Sequence, residues 1–118
     1  MVNDTKPKPY YELASIKTLV NLDQFFVVNR RANNNLQDLD WDLHKLKCFI
    51  LALKEEHFVN TYPECEINNG HAIINCDGYK MQFDDANLKE DKREGLEFFI
   101  KLAISNYSKA LIVSFHLS

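Results

Sequence analysis

GLEFFIKLAISNYSKALIVSFHLS (95–118) is the stretch that decides the fold. Within it Leu96, Phe98, Ile100, Leu102 and Ile104 alternate with Glu97, Phe99, Lys101, Ala103 and Ser105. A period of two places the first set on a buried face and the second on the opposite one. Asn106, Tyr107, Ser108 and Lys109 make a polar connector, after which Leu111, Val113 and Phe115 alternate with Ile112, Ser114 and His116. An antiparallel register with Ser105 opposite Ala110 pairs Leu102 with Val113, Lys101 with Ser114, Ile100 with Phe115 and Phe99 with His116. Lys101, Ser114 and His116 then share a face beside Phe99. A cation, a hydroxyl and an imidazole on a rigid, partly apolar surface suit RNA cleavage. The same residues are also what the solvent face of a half-buried hairpin carries.

Upstream, HAIINC (71–76), Asp77-Gly78 and YKMQF (79–83) read as a second hairpin, because Asp-Gly favours a type I′ turn. That register puts Ala72, Ile74 and Cys76 on one face with Tyr79, Met81 and Phe83, leaving Lys80 and Gln82 on the other. DDANLKEDKRE (84–94) is a solvated connector, a flexible loop or a short helix, and 63–70 is a loop. The first half of the chain is helical in pattern. From Tyr10 to Asn21, Leu13, Ile16, Leu19 and Val20 fall on one helix face, with Pro9 near the start. FFVV (25–28) is a brief strand, and 29–39 a short helix with Asn29 as its cap. Asp40 caps the next helix, whose stripe is Leu43, Leu46, Phe49, Ile50 and Leu53, with Trp41 packed at its first turn. EEHFVNTY (55–62) is a short helical turn anchored by Phe58. Helices first and strands second predict an α+β fold, N-terminal helices packed on a C-terminal antiparallel sheet. The expected organisation is a mobile lead, 1–9, and a single domain, 10–118.

The 118 residues, 46% hydrophobic and 26% charged, suit one globular domain with one core. A formal charge of −3 excludes a protein that coats nucleic acid by bulk charge, so RNA contact requires a local basic patch. The three cysteines, Cys48, Cys65 and Cys76, form no CxxC pair and fit a reducing cytoplasm; Cys48 belongs to a core helix. The run CFILAL (48–53) is too short to span a bilayer, and the first residues have no apolar core of the signal-peptide kind. The three glycines are dispersed, with no phosphate loop or dinucleotide fingerprint. His44, His57, His71 and His116 lack metal-ligand spacing, so neither metal nor cofactor is expected. His57 and His71 read as surface residues.

Several stretches resemble the MqsR family of type II toxins, small RelE-like mRNA interferases. PYYELASIKTLVN (9–21) is similar to the family's opening helix, and DLDWDLHKLKCFILALKEEHFVNTY (38–62) to its helix followed by an acidic-x-Phe turn. CDGY (76–79) is a faint echo of its Gln-Asp-Val-Tyr strand. GLEFFIKLAI (95–104) and LIVSFH (111–116) resemble its closing strands, Tyr-(Ile/Leu)-Lys-Leu and Leu-Ile-Val-Ser-Phe. The order and relative spacing hold from Pro9 to His116, with added length at 84–94.

The resemblance implies sequence-selective, metal-free cleavage of mRNA, with an MqsA-like antitoxin, a zinc-containing DNA-binding protein, as partner. Lys101 matches the family's strand lysine. Asn60 stands in place of a turn lysine, Phe99 of a strand tyrosine, His116 of a lysine and Cys76 of a glutamine. Imidazole titrates near neutrality, so His116 is the candidate acid/base, with Lys101 holding the phosphate. Lys80, Gln82, Tyr79, Phe99 and Asn60 are the candidate RNA-binding residues. Two alternatives follow from the departures and the acidic balance: an interaction module that has lost cleavage, or a toxin active only on the ribosome. Apolar residues of the opening helix and FFVV are candidates for the antitoxin face as well as for the core.

Overall fold

The computed structural model describes residues 7–118, so part of the expected lead, 1–6, lies outside the described residues; 7–9 have no regular structure. Three helices, α1 (Leu13–Asn21), α2 (Arg30–Asp38) and α3 (Leu43–Ala52), pack on one face of a six-stranded sheet. The strands are β1 (Phe25–Val27), β2 (Phe58–Ile67), β3 (Ala72–Asp84), β4 (Lys89–Glu90), β5 (Leu96–Ile104) and β6 (Ala110–Leu117). Their order is β1-β6-β5-β3-β2, with β4 beside β3. The α+β architecture is as the pattern predicts, but the sheet is mixed, because β1 runs parallel to β6.

The helices form where the apolar spacing placed them, and their ends differ. α1 begins after Glu12, so Pro9 lies outside its first turn. Asp40 does not cap α3. It takes a left-handed φ of 59° after α2, where Trp41 N–H donates to Leu36 O at 2.9 Å and closes that helix's end. Asp42 is the cap, its carboxylate accepting from Lys45 N–H at 2.8 Å. The turn at Asp40 drops Trp41 into the core, where its ring centroid lies 4.8 Å from Phe98 and 4.9 Å from Phe115. Leu13, Ile16, Val20, Leu46, Phe49 and Ile50 cover the same sheet face, supplied by Tyr79, Met81, Phe83, Phe98, Ile100, Leu102, Ile112 and Phe115.

The largest correction concerns Asp77-Gly78, which is no turn: both residues lie inside the thirteen-residue strand β3. The strand therefore keeps alternating through them, and Cys76 and Ile74 face away from Tyr79 and Met81. The turn lies at 68–71, where Asn68, Asn69 and Gly70 all have positive φ, 53°, 59° and 90°. Asparagine and glycine are the residues that tolerate this conformation. Most of 63–70 is thus strand β2, irregular at a register shift between Tyr62 and Cys65. The 55–62 segment is helical only over Glu55–His57, and 84–94 is a chain of tight turns around β4.

In the terminal hairpin Lys101 pairs with Ser114, Ile100 with Phe115 and Phe99 with His116, as the alternation predicts. Beyond a register shift after Lys101 the pairing moves by one residue, to Leu102 with Ile112 and Ile104 with Ala110. A bulge at Val113 absorbs the difference. It puts Val113 and Ser114 on one face, so Ile112 and Phe115 both reach the helix-side core.

The sheet curls until the ends of its two edge strands meet. Asn68 N–H donates to Val28 O at 2.9 Å. Asn29 fastens the junction: its Nδ2 donates to Glu66 O and to Val113 O, each at 2.9 Å, and its Oδ1 accepts from Asn69 N–H at 3.1 Å. Asn69 Oδ1 accepts in turn from Arg30 N–H at 2.9 Å. Asn29 does precede α2, but its side chain makes no cap bond because it is engaged in this clasp. Asn35 continues the tie along β6, donating to Phe115 O at 2.9 Å. Behind the clasp a smaller apolar cluster of Ile67, Cys76, Ala103, Leu111 and Val113 fills the face opposite the helices.

Asp77 is fully buried, its two carboxylate oxygens accepting from Tyr10 N–H (2.9 Å) and Tyr11 N–H (3.0 Å). Burial raises its pKa, and the two N–H bonds only partly oppose this. The folded state thus holds the proton more tightly than the unfolded chain does. The stabilisation this gives is complete below the ordinary carboxylate pKa and is lost as pH rises through the folded-state value. Chemical denaturation of wild type and Asp77→Asn, between about pH 3 and pH 7, tests this. Wild type should gain stability relative to the variant on acidification; a constant difference would refute it.

Candidate functional site

Two cross-strand rows on the face opposite the helices carry most of the expected residues. One runs Asn60, Gly78, Lys101, Ser114 and the next Lys80, Phe99, His116. Residues opposite one another in antiparallel strands share a face, so lysine and imidazole emerge on the same side. Lys101, Ser114 and His116 line a cleft of about 450 Å³. Its far walls are the start of α2, with Arg31 and Asn35, and the β2–β3 turn, with Glu66, Asn69 and Gly70.

Charge is concentrated here. Arg31, Lys101 and His116 face the single acid Glu66 within the lining, although the chain as a whole is acidic. Asp84, Asp85, Asp91 and Glu94 gather instead around a separate hollow near β4. Among the described residues neither Arg31 nor Lys101 forms an ion pair. The cleft thus brings together two unpaired cations, and Arg31 is the one that sequence reasoning missed. The dipeptide Arg30-Arg31 at the start of α2 was its only trace, since neither spacing nor alternation carries across the turn into that helix.

His116 is exposed, and its Nδ1 lies 2.7 Å from Leu117 O. A carbonyl only accepts, so Nδ1 carries a proton and Nε2 of the neutral ring bears the lone pair. The ring packs on Phe99, centroids 5.2 Å apart. Lys101 is half-buried, with Nζ 4.2 Å from the centroid of Tyr62. Tyr62 meets Phe99 edge-on at 6.0 Å.

The remaining expected residues divide. Asn60 and Lys80 are exposed on the same face but do not line the cleft; Asn60 Oδ1 accepts from Thr61 N–H at 2.8 Å. Gln82 lies farther along β3, its amide donating to Gly95 O at 3.3 Å. Phe99 is buried between the rings of Tyr62 and His116 and does not line the cleft. Tyr79 is a correction. It is 1% exposed in the helix-side core, edge-on to Phe58, and burial, then the Asp77 charge, pushes its pKa up to about 12. It has no access to a ligand on the cleft face.

Other candidate chemistries are closed off by local bonding. Burial, reinforced by Cys65, pushes the Cys76 thiol up, away from a nucleophilic thiolate. His57 is 8% exposed and structural, against the surface reading. Its Nδ1 accepts from Lys54 N–H at 2.8 Å, so its proton is on Nε2, 2.8 Å from Glu90 Oε2. With Glu56 these atoms are close enough to suggest a cation site. The donor set fits one poorly, because the imidazole's lone pair is occupied at Nδ1 and Lys54 and Lys92 already pair with the carboxylates, at 3.5 and 3.4 Å. Burial acts to raise Glu90's pKa, but the His57 hydrogen bond and the lysine charges outweigh it and the net shift is downward. No helix among the described residues is long and apolar enough to cross a membrane.

No protein-family model matches the chain, and no curated protein matches it.

Proposed function

We propose that the protein is a metal-independent endoribonuclease acting on mRNA, the toxin of a type II toxin–antitoxin pair. The observation that carries this reading is the juxtaposition of Lys101, Ser114 and His116 along one cleft with Arg31 opposite. The resemblance of 95–104 and 111–116 to the closing strands of MqsR-type toxins supports the same reading, and with it an MqsA-like protein partner.

RNA cleavage without a metal needs a base for the 2′-hydroxyl, a cation for the phosphate and a proton for the departing 5′-oxygen. His116 Nε2 takes the 2′-OH proton as the 2′-oxygen attacks phosphorus. Lys101 stabilises the charge that builds on the phosphoryl oxygens, and Arg31 lies across the cleft for a neighbouring phosphate. The P–O5′ bond breaks, and the imidazolium returns the proton to the 5′-oxygen, directly or through water. The products are a 2′,3′-cyclic phosphate and a 5′-hydroxyl.

The test is cleavage by highly purified protein, freed of any bound partner, of naked mRNA in excess chelator and of mRNA on translating ribosomes in their magnesium buffer. Fragments with cyclic-phosphate ends are expected. Cleavage confined to the ribosome-containing reaction would make the enzyme ribosome-dependent. Absence of cleavage in both reactions would overturn the nuclease reading and leave an interaction module.

A further inference from the structure

Gly78 lies at the centre of the cleft-bearing face, between Asn60 and Lys101. A Cβ at this position would lie 2.6 Å from Tyr62 Cε2 and 3.0 Å from Phe99 Cζ. The space of a side chain is thus taken by two aromatic rings leaning over bare backbone, a known way for a sheet to compensate a glycine. Tyr62 reaches this position from β2 just before the register shift that bends the strand. Its ring face receives Nζ of Lys101, and its partner ring Phe99 supports His116. Lys101, Tyr62, Phe99 and His116 form one continuous row of contacts.

A lysine side chain has a long, flexible stem and a compact charge. Among the described residues no carboxylate or hydrogen-bond acceptor holds this one. A carboxylate would fix the ammonium at the cost of neutralising it. An aromatic face attracts the cation through its quadrupole and leaves both the net charge and the three N–H donors free for an anion.

We propose that Tyr62, seated on Gly78, is the positioning residue for Lys101, holding its ammonium at the cleft wall with its charge intact for a phosphodiester. The role of Lys101 toward phosphate rests on the nuclease reading; the holding of Lys101 by Tyr62 does not.

Two measurements separate them. In the NMR spectrum of the wild-type protein, the ε-methylene protons of Lys101 should be shifted upfield by the ring. The shift should persist in Tyr62→Phe and vanish in Tyr62→Leu. Ordinary lysine shifts in folded wild type would overturn the positioning whether or not RNA is cleaved. In cleavage assays, Tyr62→Leu should lower kcat/KM by roughly 3- to 30-fold, the range of a single cation–aromatic contact, with Tyr62→Phe retaining most of the rate. In a Lys101→Ala background, Tyr62→Leu should add no further loss. An undiminished rate in Tyr62→Leu, or equal losses in both backgrounds, would overturn the role. Gly78→Ala should reproduce the loss of the shift by displacing the ring; if it fails to fold, the Tyr62 pair still decides. A wild-type protein that shows the upfield shift and cleaves no RNA would refute the nuclease reading and leave the contact standing.

Discussion

Replacing His116 with alanine is expected to lower kcat/KM for RNA cleavage by about 10²- to 10⁴-fold, the usual contribution of a positioned general acid or base. The ring is exposed, so its removal should leave stability within about 0.5 kcal/mol of wild type. Loss of rate with unchanged unfolding midpoint therefore reads on chemistry alone. The orientation of the ring makes the prediction specific. With Nδ1 turned to Leu117 O, only Nε2 is available to the substrate. His116→Gln can present a polar group near that point but cannot take up a proton at neutral pH. It should be nearly as impaired as alanine while retaining RNA binding. Lys101→Ala should differ by weakening binding as well as turnover, because the proposed mechanism has this charge meet the phosphate before and during reaction. Wild-type activity in His116→Ala would remove this residue from the mechanism.

A second large effect is expected in the core. Trp41→Ala should lower the free energy of unfolding by about 3–5 kcal/mol, the range for deleting a large buried aromatic. Folded domains are typically stable by only about 5–15 kcal/mol, so the variant should stand near its folding limit. The reason lies in what the indole touches. It lies within 6 Å, centroid to centroid, of Phe49 on α3, Phe83 on β3, Phe98 on β5 and Phe115 on β6. Its Nε1–H also donates to Asp85 at 3.2 Å. No neighbour can collapse into a void bounded by three strands and a helix without breaking its own packing. Urea unfolding followed by far-ultraviolet circular dichroism measures the change, since the variant has no tryptophan to report by fluorescence. Trp41→Phe should cost much less. A loss under about 1 kcal/mol in Trp41→Ala would mean that the site relaxes around the missing indole.

The parts of the fold that sequence made legible are those where one face is buried and the period is uninterrupted. β5 is such a strand: Leu96 to Ile104 announced its extent and the side on which Lys101 would emerge, although Leu96 itself, at the strand's start, is exposed. The helix stripes of α1 and α3 were legible for the same reason, except that Leu43, in the first turn of α3, points to solvent. Misreadings arose where a residue type has two physical uses. Asp77-Gly78 carries the chemistry of a tight turn, yet here the carboxylate binds the backbone of Tyr10 and Tyr11 while the glycine admits two rings. Both uses depend on partners far away in sequence. Asp40 and Asp42 are equally good caps by type; the choice between them is made by Trp41, which must turn inward. The site was half legible. Lys101 and His116 lie on strands whose alternation orients them, whereas Arg31 reaches the cleft, and Tyr62 reaches Lys101, only through tertiary placement. The curl of the sheet depends on amide bonds from Asn29 that no local pattern encodes.

The parallel pairing of β1 with β6 has a consequence for how the molecule is made. Phe25, Phe26 and Val27 lie beside Ala110, Leu111 and Ile112, so the first strand has no neighbour until the last one arrives. Contacts between such distant segments close late, after the entropy of the intervening chain has been overcome. A growing polypeptide emerges helices first, with the oily sides of α1 and α3 still uncovered and the walls bearing Ser114 and His116 not yet translated. Whatever chemistry the cleft performs thus waits until β6 has joined the sheet.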